Sequence, residues 1–225
     1  MNARVLEESW QRVCQLAERH PGEWEGQDLT GEAPLRVFAG SGTPHQVLVS
    51  TKEAAVRRWD KSDWPPGLVV VVAIGRLTRA QAAVIGGLAQ ERSTPIPFVG
   101  DADPVSLHTF LSLRVHLGAR RVRFCGVCDD VLDAIGDERV QPEKLETLRF
   151  SALDRAHLRV LASIANLDGV LGPRVSAVLA TGRKVEIESL SFRADLIEAL
   201  FRAALTVAAS KSREVSRKRR RKVAR

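Results

Sequence analysis

Gln46-Val47-Leu48-Val49-Ser50 and Leu68-Val69-Val70-Val71-Val72-Ala73 decide how this chain folds. Both runs are apolar at consecutive positions rather than at alternate ones, so a strand made from either must be covered on both faces. Between them, Lys52 to Trp59 carries helical spacing, and Asp63-Trp64-Pro65-Pro66-Gly67 reads as a loop. The alternation continues downstream. A helix is predicted over Thr78–Glu91, a strand at Pro97-Phe98-Val99, and a helix over Val105–Leu117. A strand at Val122-Arg123-Phe124 and a helix over Asp130–Ile135 follow. Strands of this kind alternating with helices predict an α/β fold, a Rossmann-like parallel sheet flanked by helices with right-handed crossovers.

Upstream, Val5, Leu6, Trp10, Val13, Cys14 and Leu16 are spaced as one face of a helix over residues 3–20, which Pro21-Gly22 ends. A short strand is predicted at Leu35–Phe38, and Gly40-Ser41-Gly42-Thr43-Pro44 reads as a turn or linker. Beyond residue 140 no further strand is predicted. Ser151–Ala165, Arg174–Leu179, Lys184–Leu190 and Ala194–Ala208 read as helices packed on the sheet. The expected organisation is therefore an N-terminal helix and linker (1–44), an α/β domain with its packed C-terminal helices (45–209), and a disordered basic tail (210–225).

Charge is unevenly divided along the 225 residues, which are enough for one well-buried core. Residues 210–225 hold nine Lys/Arg and one Glu, a net of +8, while the whole chain carries +7. The remaining 25 basic and 26 acidic residues leave the globule at −1, so the high isoelectric point belongs to the tail. No apolar run reaches the length of a membrane span, and no membrane partner is expected. The start, Met1-Asn2-Ala3-Arg4, leads into an amphipathic pattern with acidic residues, unlike a signal peptide. Three cysteines, one far from the other two, do not make a disulfide framework. A reducing cytoplasm, with nucleoid association, is the expected location.

Three local patterns bear on chemistry. In Phe98-Val99-Gly100-Asp101-Ala102-Asp103-Pro104, side chains two positions apart at a strand end point the same way. Open α/β sheets bind ligands outside such strand ends. Asp101 and Asp103 are therefore the candidate metal ligands, for Mg²⁺ held weakly by two carboxylates and completed by water. The same residues also read as turn and helix-cap chemistry. Cys125-Gly126-Val127-Cys128 has the spacing of a redox motif or, read otherwise, of small residues filling a core. His108, early in the helix after the Asp pair, either approaches that pair or points away from it. The tail residues Arg217, Lys218, Arg219, Arg220, Arg221 and Lys222 form the third pattern. Charge this dense is expected to be disordered alone and to neutralise phosphates without reading sequence. No aromatic residue interrupts it to stack on bases.

Taken in order, several segments resemble the Toprim domain of the topoisomerase VI A-subunit family and the related meiotic double-strand-break transesterases. They are Val47-Leu48-Val49-Ser50-Thr51-Lys52-Glu53-Ala54-Ala55-Val56; Val69–Ile74 with Gly75-Arg76; Gly100–Pro104; and Val122–Val127. Leu153-Asp154-Arg155 and Gly182-Arg183-Lys184-Val185-Glu186-Ile187-Glu188-Ser189-Leu190 continue the series, so the resemblance covers residues 45–192. It implies a Toprim-like fold in which a strand-end Glu and an Asp pair hold Mg²⁺ for phosphoryl transfer. The family's acidic ligand at the end of the first strand falls on Thr51, and a family glycine falls on Ser106. The chain has no tyrosine, the nucleophile with which the cutting members of the family attack DNA.

No catalytic residue is assigned, and three readings follow. The first is a non-catalytic, Toprim-like scaffold that meets DNA non-specifically through its tail and pairs with a partner chain or a second copy. The second is a Mg²⁺-dependent nuclease or phosphotransferase built on Asp101 and Asp103. The third is one subunit of a multi-chain topoisomerase VI-like or defence complex whose partner supplies the tyrosine.

Overall fold

A computed structural model describes residues 3–18, 35–73, 77–89, 94–191 and 194–223, with side chains except at 13, 14, 16–18, 191, 194 and 211–223. The stretch 19–34, the turn at Gly75-Arg76 and Arg193 lie outside the described residues. The two apolar runs form adjacent parallel strands, β2 (Gln46–Ser50) and β3 (Leu68–Val72). Before them come α1 (Ala3–Glu18) and β1 (Arg36–Ala39); after them come α3 (Arg79–Leu88), β4 (Ile96–Val99), α4 (Pro104–Leu117), β5 (Val122–Phe124) and α5 (Asp129–Ile135). A short helix, α2 (Glu53–Arg58), joins β2 to β3.

The sheet order is β1-β3-β2-β4-β5. Four strands are parallel, as expected, but β1 runs antiparallel to β3, so the sheet is mixed. The reason lies in the connection: the short turn from β1 to β2 cannot make the long crossover that a parallel neighbour needs. Instead the turn crosses the start of β3 and leaves β1 on the outer edge of that strand, with Gly40 N–H donating to Leu68 O at 2.9 Å and His45 N–H to Gly67 O at 3.0 Å. Every residue of β3 is buried, which explains its unbroken apolar run. Thr78 caps α3 with a reciprocal bond to Gln81, the arrangement that fixes a helix start locally.

Helix α4 is buried at nearly every position from Pro104 to Leu113 because it lies between the sheet and a further layer. That layer is α1 and α6 (Ala152–Ile164), which pack on each other and on α4. Phe98, Phe110 and Phe124 form the aromatic centre under α4, with ring centroids 5.4–6.0 Å apart. A second group of helices is organised by α10 (Ala194–Val223), which packs on α5, β4 and α2. Trp59 stacks on Phe201 at 4.6 Å and 2°, fastening α10 to the end of α2.

Two expectations for the C-terminal part are corrected. Lys184–Leu190 is not one helix: β7 (Arg183–Val185) pairs antiparallel with β6 (Thr147–Arg149), and α9 (Glu188–Ser191) follows. Strand structure therefore continues beyond residue 140, where none was predicted. Cross-strand pairing decides this segment, and its partner lies far away in the chain. Between the two strands run α6, α7 (Asp168–Leu171) and α8 (Pro173–Ala180). The second correction concerns the tail, because the backbone of α10 stays helical through Val223. Lys and Arg are good helix formers, and extending an anchored helix avoids the cost of a new nucleus. No described helix is long and apolar enough to cross a membrane.

Candidate functional site

In a sheet ordered β3-β2-β4-β5, strands are added to one side after β2 and to the other after β4, and the carboxyl ends of these two parallel strands open the crevice where such folds take ligands. Asp101 and Asp103 follow β4 at this point, and Thr51 and Lys52 follow β2. The two strand ends are joined by Thr51 N–H donating to Val99 O at 3.1 Å. The loop after β4 is also held against the loop after β5, because Gly100 and Gly126 meet: Val127 N–H donates to Gly100 O at 3.0 Å. A Cβ on Gly126 would lie 1.9 Å from that oxygen.

Asp101 is only 1% exposed, and both of its oxygens are engaged. Oδ1 accepts the Ile187 N–H at 2.7 Å, and Oδ2 forms an ion pair with the Lys52 ammonium. Lys52 Nζ also lies 2.9 Å from Glu188 Oε2. The backbone N–H of Lys52 donates to Ser50 Oγ at 3.0 Å, which fixes where its side chain begins. Asp103 is turned to a different task as the N-cap of α4: Oδ1 accepts the Ser106 N–H at 2.7 Å, and Oδ2 accepts the Ser106 hydroxyl at 3.3 Å. Ser106 Oγ in turn lies 3.3 Å from Thr51 Oγ1. Thr51 and Ser106 are thus hydrogen-bonded to each other, a neutral hydroxyl pair.

Burial, then the neighbouring Asp103 charge, raises the Asp101 pKa well above the usual carboxylate range; Lys52 and the Ile187 N–H oppose the rise without cancelling it. For Lys52, burial works against the ammonium but is outweighed by Asp101 and then Glu188, so its pKa is raised and it stays protonated. The donor set does not fit Mg²⁺. One carboxylate holds an ammonium, and the other is committed to a helix terminus. Among the described residues, no group of three His, Cys, Asp or Glu side chains is placed to hold a metal ion.

The C-terminal segment covers the crevice. Ala102 pairs with Val185 through two backbone bonds of 3.0 and 3.3 Å, and this brings Ile187 and Glu188 over the strand ends. Sequence reasoning did not find Lys52, Glu188 or the Ile187 N–H, and no local signal marks them, because their meeting depends on strand order. A cavity of about 520 Å³ lies elsewhere, lined in part by Leu145, Pro173, Val178 and Arg183, and contains none of these residues.

His108 packs against the rings of Trp10 and His157. It is buried with Nδ1 at 3.3 Å from His157 Nε2, and its ring centroid is 4.4 Å from that of Trp10. Burial lowers the His157 pKa to about 4, against a smaller upward pull from Asp103. Cys125 and Cys128 are both buried, and burial raises Cys128 to about 12, which leaves it without thiolate character. Arg217, Lys218, Arg219, Arg220, Arg221 and Lys222 all fall on the helical backbone of α10, and their side chains lie outside the described residues. No protein-family model matches the chain, and no curated protein matches it either.

Proposed function

We propose that this chain is a catalytically silent, Toprim-like scaffold that associates with DNA through the basic end of α10. The observation that carries this reading is the continuity of α10. The helix is anchored in the core by Ile197, Leu200, Phe201 and Ala204 and runs as one backbone into a segment of net +8. A near-neutral globule carrying a basic helix on a fixed stem suits sequence-independent binding to a polyanion, in which phosphate neutralisation supplies the affinity. The crevice where the fold would do chemistry is closed by Val185–Glu188 and neutralised by Lys52, which supports a binding rather than a cutting role. The missing tyrosine points the same way.

The test is fluorescence anisotropy on labelled duplexes of unrelated sequence across a salt series. Affinity is expected to fall by about 10³-fold between ~50 and ~200 mM salt if about six phosphates are contacted, and to vary little with sequence. Deleting residues 211–225 is expected to abolish binding without unfolding the globule. Undiminished binding by the truncated chain, or Mg²⁺-dependent cleavage lost in Asp103→Ala, would overturn the reading.

A further inference from the structure

We propose that the globule carries a second DNA contact, a platform of arginines at the amino end of the sheet that meets the phosphate backbone beside the basic end of α10. This inference rests on the reading of α10 given above and adds to it a surface on the folded core. The sheet separates charge along its strands. Glu53, Asp101, Asp103, Asp129 and Glu188 gather beyond the carboxyl ends. At the opposite end, Arg114 lies in the last turn of α4, and Arg120 and Arg121 lie in the turn that leads into β5. Gly118 ends α4 at φ +99°, a conformation that glycine takes readily, and Arg121 N–H donates to Gly118 O at 3.0 Å to close the turn.

None of these three guanidinium groups is ion-paired to a carboxylate among the described residues. Arg114 Nε donates to Ala119 O at 3.2 Å, and its guanidinium stands over the Phe110 ring. Arg121 reaches Ala89 O at 3.4 Å. Arg120 is exposed and makes no side-chain bond to the described residues, so the fold gives no reason for its charge. The carboxylates at this end, Asp60 and Asp63, lie before β3, with β2 and β4 between them and the platform, and Asp63 meets Arg202 at 3.5 Å. Helix α10 runs towards the same end. It starts after α9 at the crevice, packs Phe201 on Trp59 past the end of α2, and receives Arg123 of β5 at the Val207 carbonyl. Lys211, the first basic residue of the tail, is four positions on, about 6 Å along a helix. A phosphate backbone is the polyanion that suits this arrangement. Guanidinium groups without a carboxylate partner donate to phosphate oxygens with no ion pair to break, and each phosphate neutralised releases counterions. The turn Gly118-Ala119-Arg120-Arg121 offers no large apolar side chain to a lipid surface.

The experiment measures binding of a labelled duplex by fluorescence anisotropy across a salt series. It compares the full-length chain with Arg120→Glu, Arg114→Gln/Arg120→Gln/Arg121→Gln and Arg114→Lys/Arg120→Lys/Arg121→Lys. The triple glutamine variant is expected to bind at least about tenfold more weakly at ~50 mM salt, with the slope of log affinity against log salt reduced by about 2 to 3. The lysine variant keeps the charges and is expected to keep the slope. Arg120→Glu has no bond to lose, is expected to melt as the wild type does, and is expected to lower the slope by at least about 1, so it carries the test if the triple variant unfolds. Unchanged slopes in Arg120→Glu and in the triple glutamine variant, while deletion of residues 211–225 abolishes binding, would overturn this inference and leave the reading of α10 standing. A wild type that ignores DNA, or that prefers vesicles of anionic lipid to the duplex, would overturn both. So would undiminished binding after that deletion.

Discussion

Gly126 shows how a single residue sets the distance between the loops that follow β4 and β5. Its Cα hydrogen faces the Gly100 backbone, and a methyl there would overlap a peptide oxygen that has no flexible neighbour to yield. Gly126→Ala is expected to cost about 3 kcal/mol, measured by urea unfolding, because the loops must separate and Val127 loses its bond to Gly100. His157 supplies a different kind of residue-scale prediction. Its folded pKa of about 4 lies below the unfolded value near 6.5, so the unfolded chain binds more protons between those limits. The stabilisation is complete above pH 6.5 and is lost as pH falls towards 4, by about 3 kcal/mol in all. Asp101, with its raised pKa, acts in the opposite sense over part of the acid range. Comparing the pH dependence of wild type and His157→Phe cancels that term, and the variant is expected to show the shallower acid limb. Neither effect was legible in the sequence. A lone histidine or glycine states its chemistry but not its surroundings.

At the scale of elements, the N-terminal half was legible because its four parallel strands are largely buried on both faces and its helices α3 and α4 carry their own start signals. Thr78 and Gln81 mark α3, and Asp103-Pro104 marks α4. The C-terminal half was less legible because its elements are held by distant groups. Asp129, the first residue of α5, accepts the N–H groups of Arg174 and Val175 at 2.9 and 3.0 Å and so caps α8 from another part of the chain. Asp129→Ala is expected to cost about 2 kcal/mol in urea unfolding, at the upper end for a cap because the site is buried. The same non-local logic made Lys184-Val185 a strand. Helical spacing in a short segment lost to pairing with Thr147 and Ala102. For α10, the stacking of Phe201 on Trp59 is the anchor, and Phe201→Ala is expected to destabilise the protein by about 4 kcal/mol. Removing residues 211–225 leaves this contact untouched and is expected to leave the unfolding midpoint nearly unchanged.

For the whole molecule, helix α10 joins the parts by packing on α2, α5, α9 and β4, and Arg123 in β5 donates to the Val207 carbonyl. The α/β half and the C-terminal half are therefore expected to unfold in one transition. Coincident urea curves from tryptophan fluorescence, with Trp10, Trp59 and Trp64 buried, and from circular dichroism would check this. The amino-acid sequence by itself determined the α/β class, the alternation of strands and helices through β5, and the separation of a near-neutral globule from a basic terminus. These follow from local periodicity, turn residues and charge, which need no partner. Only the tertiary structure decided that β1 runs antiparallel at the sheet edge and that Val185–Glu188 closes the crevice. It alone brought Lys52 to Asp101 and Glu188. The physical reason is common to all three: each depends on which strand ends become neighbours, and strand order is a property of the assembled sheet that no single segment carries.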